Sequence, residues 1–77
     1  MVKIPQIEEI TRRLVRNSLE TFLRGERSLN WIRGMIESSG VLRQEGMLQN
    51  IFDGLRGYGS LTRYQEILKE CRKERWI

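Results

Sequence analysis

The chain has no histidine and no alanine, one cysteine (Cys71) and one proline (Pro5) among its 77 residues. Without histidine, the usual general base and the commonest metal ligand are missing. One cysteine cannot close a disulfide within the chain, which points weakly to a reducing, cytoplasmic setting. Zinc-type ligation would have to come from carboxylates and a lone thiol. No run of alternating acidic residues closed by a glutamate resembles a calcium loop. Neither metal nor cofactor is expected. No apolar run reaches the length of a signal peptide or a membrane span, so the chain is expected to be soluble and to have no membrane partner. Alanine is the strongest helix former, and its absence from a chain of helical pattern has no physical account.

What is present is charge and apolar residues of helical period. There are 14 basic and 10 acidic residues, a net charge of +4, and eleven of the basic residues are arginine. That excess suits an acidic protein partner or a phosphate backbone. A chain of this size makes one domain and buries only about 60% of its unfolded surface. A binding partner or a second copy would stabilise it by mass action.

The pattern predicts an all-α bundle of four helices, a three-helix bundle preceded by an amphipathic helix. The first helix is expected from Pro5 to Arg24. Its apolar arc comprises Ile7, Ile10, Leu14, Val15, Leu19, Phe22 and Leu23, with Thr11 and Ser18 inside it. Glu8–Arg12, Glu9–Arg13 and Glu20–Arg24 are spaced to pair along its outer face. Gly25 is a plausible stop, and residues 25–28 are the one candidate hinge. The second helix is expected from Leu29 to Ser39, capped by Ser28 and ended by Gly40. Trp31, Ile32, Met35 and Ile36 are its buried stripe. The third is expected from Leu42 to Arg56, with Val41, Leu48, Ile51, Phe52 and Leu55 inward. Gly57-Tyr58-Gly59 is the clearest turn. The fourth is expected to start near Thr62, where Thr62 and Gln65 have capping-box spacing. Tyr64, Ile67, Leu68 and Cys71 line one face of it.

Few of these residues point to catalysis. Cys71 lies on an apolar stripe with no base to activate it, and reads as a small core residue. Glu37, Glu45, Glu66, Glu70 and Glu74 read as solvated helix faces. Gly54, Gly57 and Gly59 have neither the strand nor the Lys-Ser/Thr of a phosphate loop. Helices two and three form a poor helix-turn-helix. Gly46 stands where an apolar residue is needed, and the outer face carries little positive charge. Arg12, Arg13, Arg16 and Arg43 are the candidates for phosphate contacts. Trp31 reads as core; Trp76, outside any stripe, is either an interface anchor or a loose end.

The stretch Trp31-Ile32-Arg33-Gly34-Met35-Ile36-Glu37-Ser38-Ser39 resembles the first helix of the X domain of paramyxovirus phosphoproteins. The similarity continues through Met47-Leu48-Gln49-Asn50-Ile51-Phe52-Asp53-Gly54-Leu55-Arg56-Gly57. It resumes at Leu61-Thr62-Arg63-Tyr64 and Ile67-Leu68, so that it spans about residues 31–71. The agreement is mostly apolar pattern, and one residue must be deleted between Ser39 and Met47 to keep register. The resemblance implies a three-helix bundle from a viral polymerase cofactor. A groove between its last two helices grips an amphipathic helix that folds out of a disordered nucleoprotein tail. The groove positions fall on Leu48, Ile51, Leu55, Tyr64, Ile67 and Cys71, flanked by Arg56 and Arg63. Apolar anchors with basic flanks are what recognition of an acidic amphipathic helix requires. Helix one has no counterpart in that family. It would cover the groove or pair with itself, and in the first case the groove residues are ordinary core.

The sequence therefore predicts a non-enzymatic adaptor that binds an amphipathic, acidic helix of a partner protein. The alternative is a small basic nucleic-acid-binding regulator, with a homodimer as a further option.

Overall fold

Four α-helices and one 3-10 turn follow each other in the computed structural model, which describes residues 7–77. Helix α1 spans Ile7–Leu23, α2 Leu29–Ser39, α3 Met47–Gly54 and α4 Leu61–Lys73, with the 3-10 turn at Val41–Arg43 between α2 and α3. No strand occurs among the described residues. The chain is a small all-α bundle. Its centre is α1, which packs against α2, α3, α4 and the 3-10 turn.

The core follows from the apolar periods. Val15, Leu19, Phe22 and Leu23 of α1 meet Ile32 and Ile36 of α2, Leu48, Ile51 and Phe52 of α3, and Ile67 and Cys71 of α4 in one buried cluster. Thr11 and Ser18 are buried too, and their small side chains allow close approach along α1. Ser18 donates its hydroxyl to the Leu14 carbonyl, so its burial leaves no orphan donor.

The helix ends show where local sequence decides and where it does not. Gly25, at φ +84°, ends α1, with Gly25 N–H donating to Phe22 O and Glu26 N–H to Thr21 O. This is the paired closure that a left-handed residue permits. The expected start of α1 at Pro5 lies outside the described residues. Ser28 caps α2 by accepting from Trp31 N–H, and Gly40 closes it at φ +85°. Helix three is shorter than its expected span from Leu42 to Arg56. Gly46 takes a left-handed φ of +80° and splits that stretch into the 3-10 turn and an eight-residue helix. Helix four is capped by Ser60, which accepts from Arg63 N–H, in place of the Thr62–Gln65 box. Ser60 has the advantage that its own N–H already donates to Leu23 O, fixing it at the helix entrance.

The C-terminal end of α1 is tied to the α3–α4 turn at several points. Gly59 lies so close to Leu23 that a Cβ there would sit 2.7 Å from the Leu23 carbonyl oxygen. Arg24 donates to Tyr58 Oη at 2.7 Å and to Glu26 at 2.8 Å. Arg63 donates to the carbonyls of Phe22 and Arg27, and its guanidinium lies 4.8 Å from the Phe22 ring. Arg63 thus ties the end of α1 to Arg27, within residues 25–28, the expected hinge.

Two expected surface pairs also rearrange. Glu20 pairs with Arg16, at 3.7 Å, because Arg24 is drawn to Glu26 and Tyr58. Arg12 reaches across to Asn50 of α3 rather than back to Glu8.

Candidate protein-docking clefts

The six expected groove positions do not together line one open groove; of them, Leu48 alone borders a cleft. Leu48, Ile51, Leu55, Ile67 and Cys71 are at most 3% exposed and belong to the common core. The physical reason is α1, whose own apolar face occupies the volume that a partner helix would fill. Tyr64 is half-buried and donates its hydroxyl to Phe52 O at 3.0 Å, with its ring edge-on to Phe52. Arg63 is spent on carbonyls of the α1–α2 region. Arg56 is exposed and pairs with Asp53 of its own helix end at 3.3 Å.

Burial and the neighbouring Glu70 push the Cys71 thiol up to about 12. At neutral pH it is protonated and shielded, a poor nucleophile. Among the described residues, no group of three acidic or thiol side chains is placed to hold a metal ion.

Of the four arginines expected at phosphates, Arg13 pairs with Glu9 at 3.7 Å and Arg16 with Glu20, while Arg12 donates to Asn50 of α3. Arg43 sits in the 3-10 turn and lines a cleft with Ile7 and Thr11.

Apolar surface opens elsewhere, around the segment from Gly40 to Gly46. The two left-handed glycines bracket it. Its backbone is fixed from within: Arg43 N–H donates to Gly40 O, Gln44 N–H to Val41 O and Met47 N–H to Gln44 O. Ser39 Oγ accepts from Val41 N–H at 3.1 Å. This tight turn drives Val41 into the core and leaves Leu42, its neighbour, 40% exposed. Leu42 stands as a ridge between two clefts. One, of about 470 Å³, has Val41 and Leu48 below, Trp76 and Ile77 opposite, and Gln44, Glu45 and Gln49 at its rim. The other, of about 630 Å³, runs between Ile7 and Thr11 of α1 and the end of α2, with Glu37 and Arg43 beside it.

The wall made by Trp76 and Ile77 is held in place. Arg75 takes a left-handed φ of +61°, and Trp76 N–H donates to Cys71 O at 2.8 Å. The chain therefore folds back over α4 instead of running on. Arg33 of α2 bridges to Glu70 and Glu74 at 3.3 and 3.4 Å and places its guanidinium 5.9 Å from the Trp76 ring. Trp76 is half-buried and held against Arg33. Trp31, expected in the core, is also only half-buried, with Arg27 lying over its ring at 5.2 Å.

Sequence reasoning missed Leu42, Trp76 and Ile77 as neighbours. The available signal was an apolar pair, Val41-Leu42, enclosed between glycines six residues apart. A tight segment of that kind cannot bury two adjacent side chains on one side.

No family model, curated protein or solved structure matches this chain.

Proposed function

We propose that the chain is a non-enzymatic protein-binding module that takes an amphipathic segment of a partner protein into the clefts on either side of Leu42. The observation that carries this reading is the exposed Leu42 ridge on a backbone-fixed turn, with apolar residues on both sides. The cleft walled by Val41, Leu48, Trp76 and Ile77 is mainly apolar, while the one beside Ile7 is lined mostly by polar residues, and apolar clefts with a few polar groups are the usual seats of anchor side chains. Glu37, Arg43 and Glu45 would orient the partner, and the net charge of +4 favours an acidic one. The resemblance of residues 31–71 to the X domain of paramyxovirus phosphoproteins supports the same kind of ligand and suggests a viral polymerase cofactor as its setting. The seat proposed here differs from that family's groove.

No described helix is long and apolar enough to cross a membrane. The test is an NMR titration with a panel of amphipathic helical peptides, acidic and basic. Binders should shift the Leu42 amide and the Trp76 indole resonance. Leu42→Asp should weaken them by about tenfold or more, a loss typical of an apolar anchor, with the helical circular dichroism unchanged. Short duplex nucleic acid serves as the competing ligand. If it alone binds, with affinity falling steeply and log-linearly in salt, the protein-binding reading is wrong.

A further inference from the structure

Helices α1 and α4 end in the same way, with different residues at the turning point. At the end of α1, Gly25 N–H donates to Phe22 O and Glu26 N–H to Thr21 O, with Gly25 at φ +84°. At the end of α4, Arg75 N–H donates to Arg72 O and Trp76 N–H to Cys71 O, with Arg75 at φ +61°. Both are the paired closure in which the residue after the cap turns left-handed. Glycine does this without a steric penalty, whereas an arginine is strained there. Among the described residues, Arg75 is the only non-glycine with a positive φ.

The strained turn is what brings Trp76 and Ile77 back to the bundle. There they wall the cleft of about 470 Å³ whose other side is Val41 and Leu48. Both stay only half-buried. Arg33 adds a second unfavourable feature to this closed position. Its two terminal nitrogens pair with Glu70 and Glu74, at 3.3 and 3.4 Å, and its guanidinium lies 5.9 Å from the Trp76 ring. Its Nε is shut off from solvent and has no hydrogen-bond partner among the described residues. A buried donor left unpaired is destabilising. The closed position thus gains the partial burial of two apolar side chains, against a left-handed arginine and an orphan N–H. Outward rotation of residues 75–77 relieves the arginine turn and uncovers the face of Arg33 against which Trp76 lies. Opposed contributions of this kind leave a segment poised between two positions.

We propose that Trp76 and Ile77 form a hinged wall that turns at Arg75. Folded back, the wall completes the cleft beside Leu42. Swung out, it leaves Val41 and Leu48 as the floor of an open shelf. The closed fraction sets the apparent affinity of the cleft for the amphipathic segment of a partner protein. The hinge stands on the geometry of the α4 end alone, and its effect on binding rests on the protein-binding reading.

Hydrogen exchange of the Trp76 amide in the full chain reads the hinge directly, because that N–H is bonded to Cys71 O only when the wall is closed. Arg75 is exposed and does not line the cleft, so substitution there shifts the balance without altering the site. Arg75→Gly removes the strain and should raise the protection factor of this amide by about tenfold. Arg75→Val places a β-branched residue at positive φ and should lower it by at least as much. Protection at Phe22 and Ile32 should be equal in all three chains, the sign of an intact bundle. Equal Trp76 protection in the three chains overturns the hinge. A helical peptide that shifts the Leu42 amide should bind Arg75→Gly most tightly, the native chain next and Arg75→Val severalfold more weakly. Equal affinities despite unequal protection overturn the gating of the cleft. If protection follows the expected order but no peptide binds even Arg75→Gly, the protein-binding reading falls and the gate with it, while the hinge stands.

Discussion

The two ends of α1 are built from the same kinds of residue and do opposite things. At the C-terminal end, Phe22 and Leu23 are buried, Gly59, Ser60 and Arg63 hold the backbone around them, and Tyr58 Oη accepts from the Arg24 side chain. At the N-terminal end, Ile7 and Ile10 stand in solvent, and the adjoining space is cleft. One helix thus has an apolar arc wider than the core it meets. Where the arc is covered, hydrogen bonds to backbone carbonyls accompany the packing. Where it is bare, the nearby polar side chains pair among themselves, as Glu9 does with Arg13. The difference assigns stability to the covered end and leaves the apolar arc of the other end in solvent.

The largest test of that division is Gly59→Ala. Gly59 adopts φ +65° and touches the Leu23 backbone, so a methyl group meets both a disfavoured conformation and a hard contact. A loss of about 3 kcal/mol or more is expected, at the scale of combined backbone strain and displaced packing. Urea unfolding would measure it. An effect below 1 kcal/mol, on the scale of an ordinary surface change, would mean that the clamp on α1 is looser than the distances imply.

Arg63→Ala comes next. It removes two charge-assisted hydrogen bonds to carbonyls and a cation over the Phe22 ring. The side chain is partly exposed, so water replaces some of what is lost. The expected cost is about 1–3 kcal/mol. Hydrogen exchange should locate it: protection should fall first at residues 22–29, where the two ends of the clamp meet. Uniform loss across all four helices would indicate a general packing defect instead.

Most of this architecture was legible from periodicity and caps. The all-α class, the α2 boundaries and the Gly25 and Gly40 stops all rest on signals that act within one turn of helix, and such signals are strong. The failures came where distance in sequence matters. The pattern puts Gly46 inside a helix and the cap of α4 at Thr62, because the roles of Gly46 and Ser60 depend on neighbours that only the fold supplies: the 3-10 turn before one and the Leu23 carbonyl beside the other. The candidate site was legible only in part. An apolar stripe on α3 and α4 looks the same whether a partner or α1 covers it, so Ile51, Leu55 and Ile67 could not be told from core. Arg63 reads as a surface cation in the sequence, and nothing local shows that the carbonyls of Phe22 and Arg27 lie 3.2 and 3.0 Å from it.

The smallest expected effect is the most informative about the free end. Ile10→Gln replaces an exposed apolar residue with a better helix former. In dilute protein, stability should change by no more than about 0.5 kcal/mol, as for surface positions generally. Concentration is the lever that exposes the difference. If copies associate through this end of α1, the native chain melts at a temperature that rises with concentration, because dimerisation stabilises only the folded state. The Ile10→Gln chain should show no such rise. A Gly59→Ala chain, by contrast, should melt lower at every concentration yet keep its slope, since its defect lies at the other end of the helix. Parallel melting curves for the native and Ile10→Gln chains would mean that Ile10 is merely an isolated exposed side chain, and the contrast between the two ends of α1 would then concern packing alone.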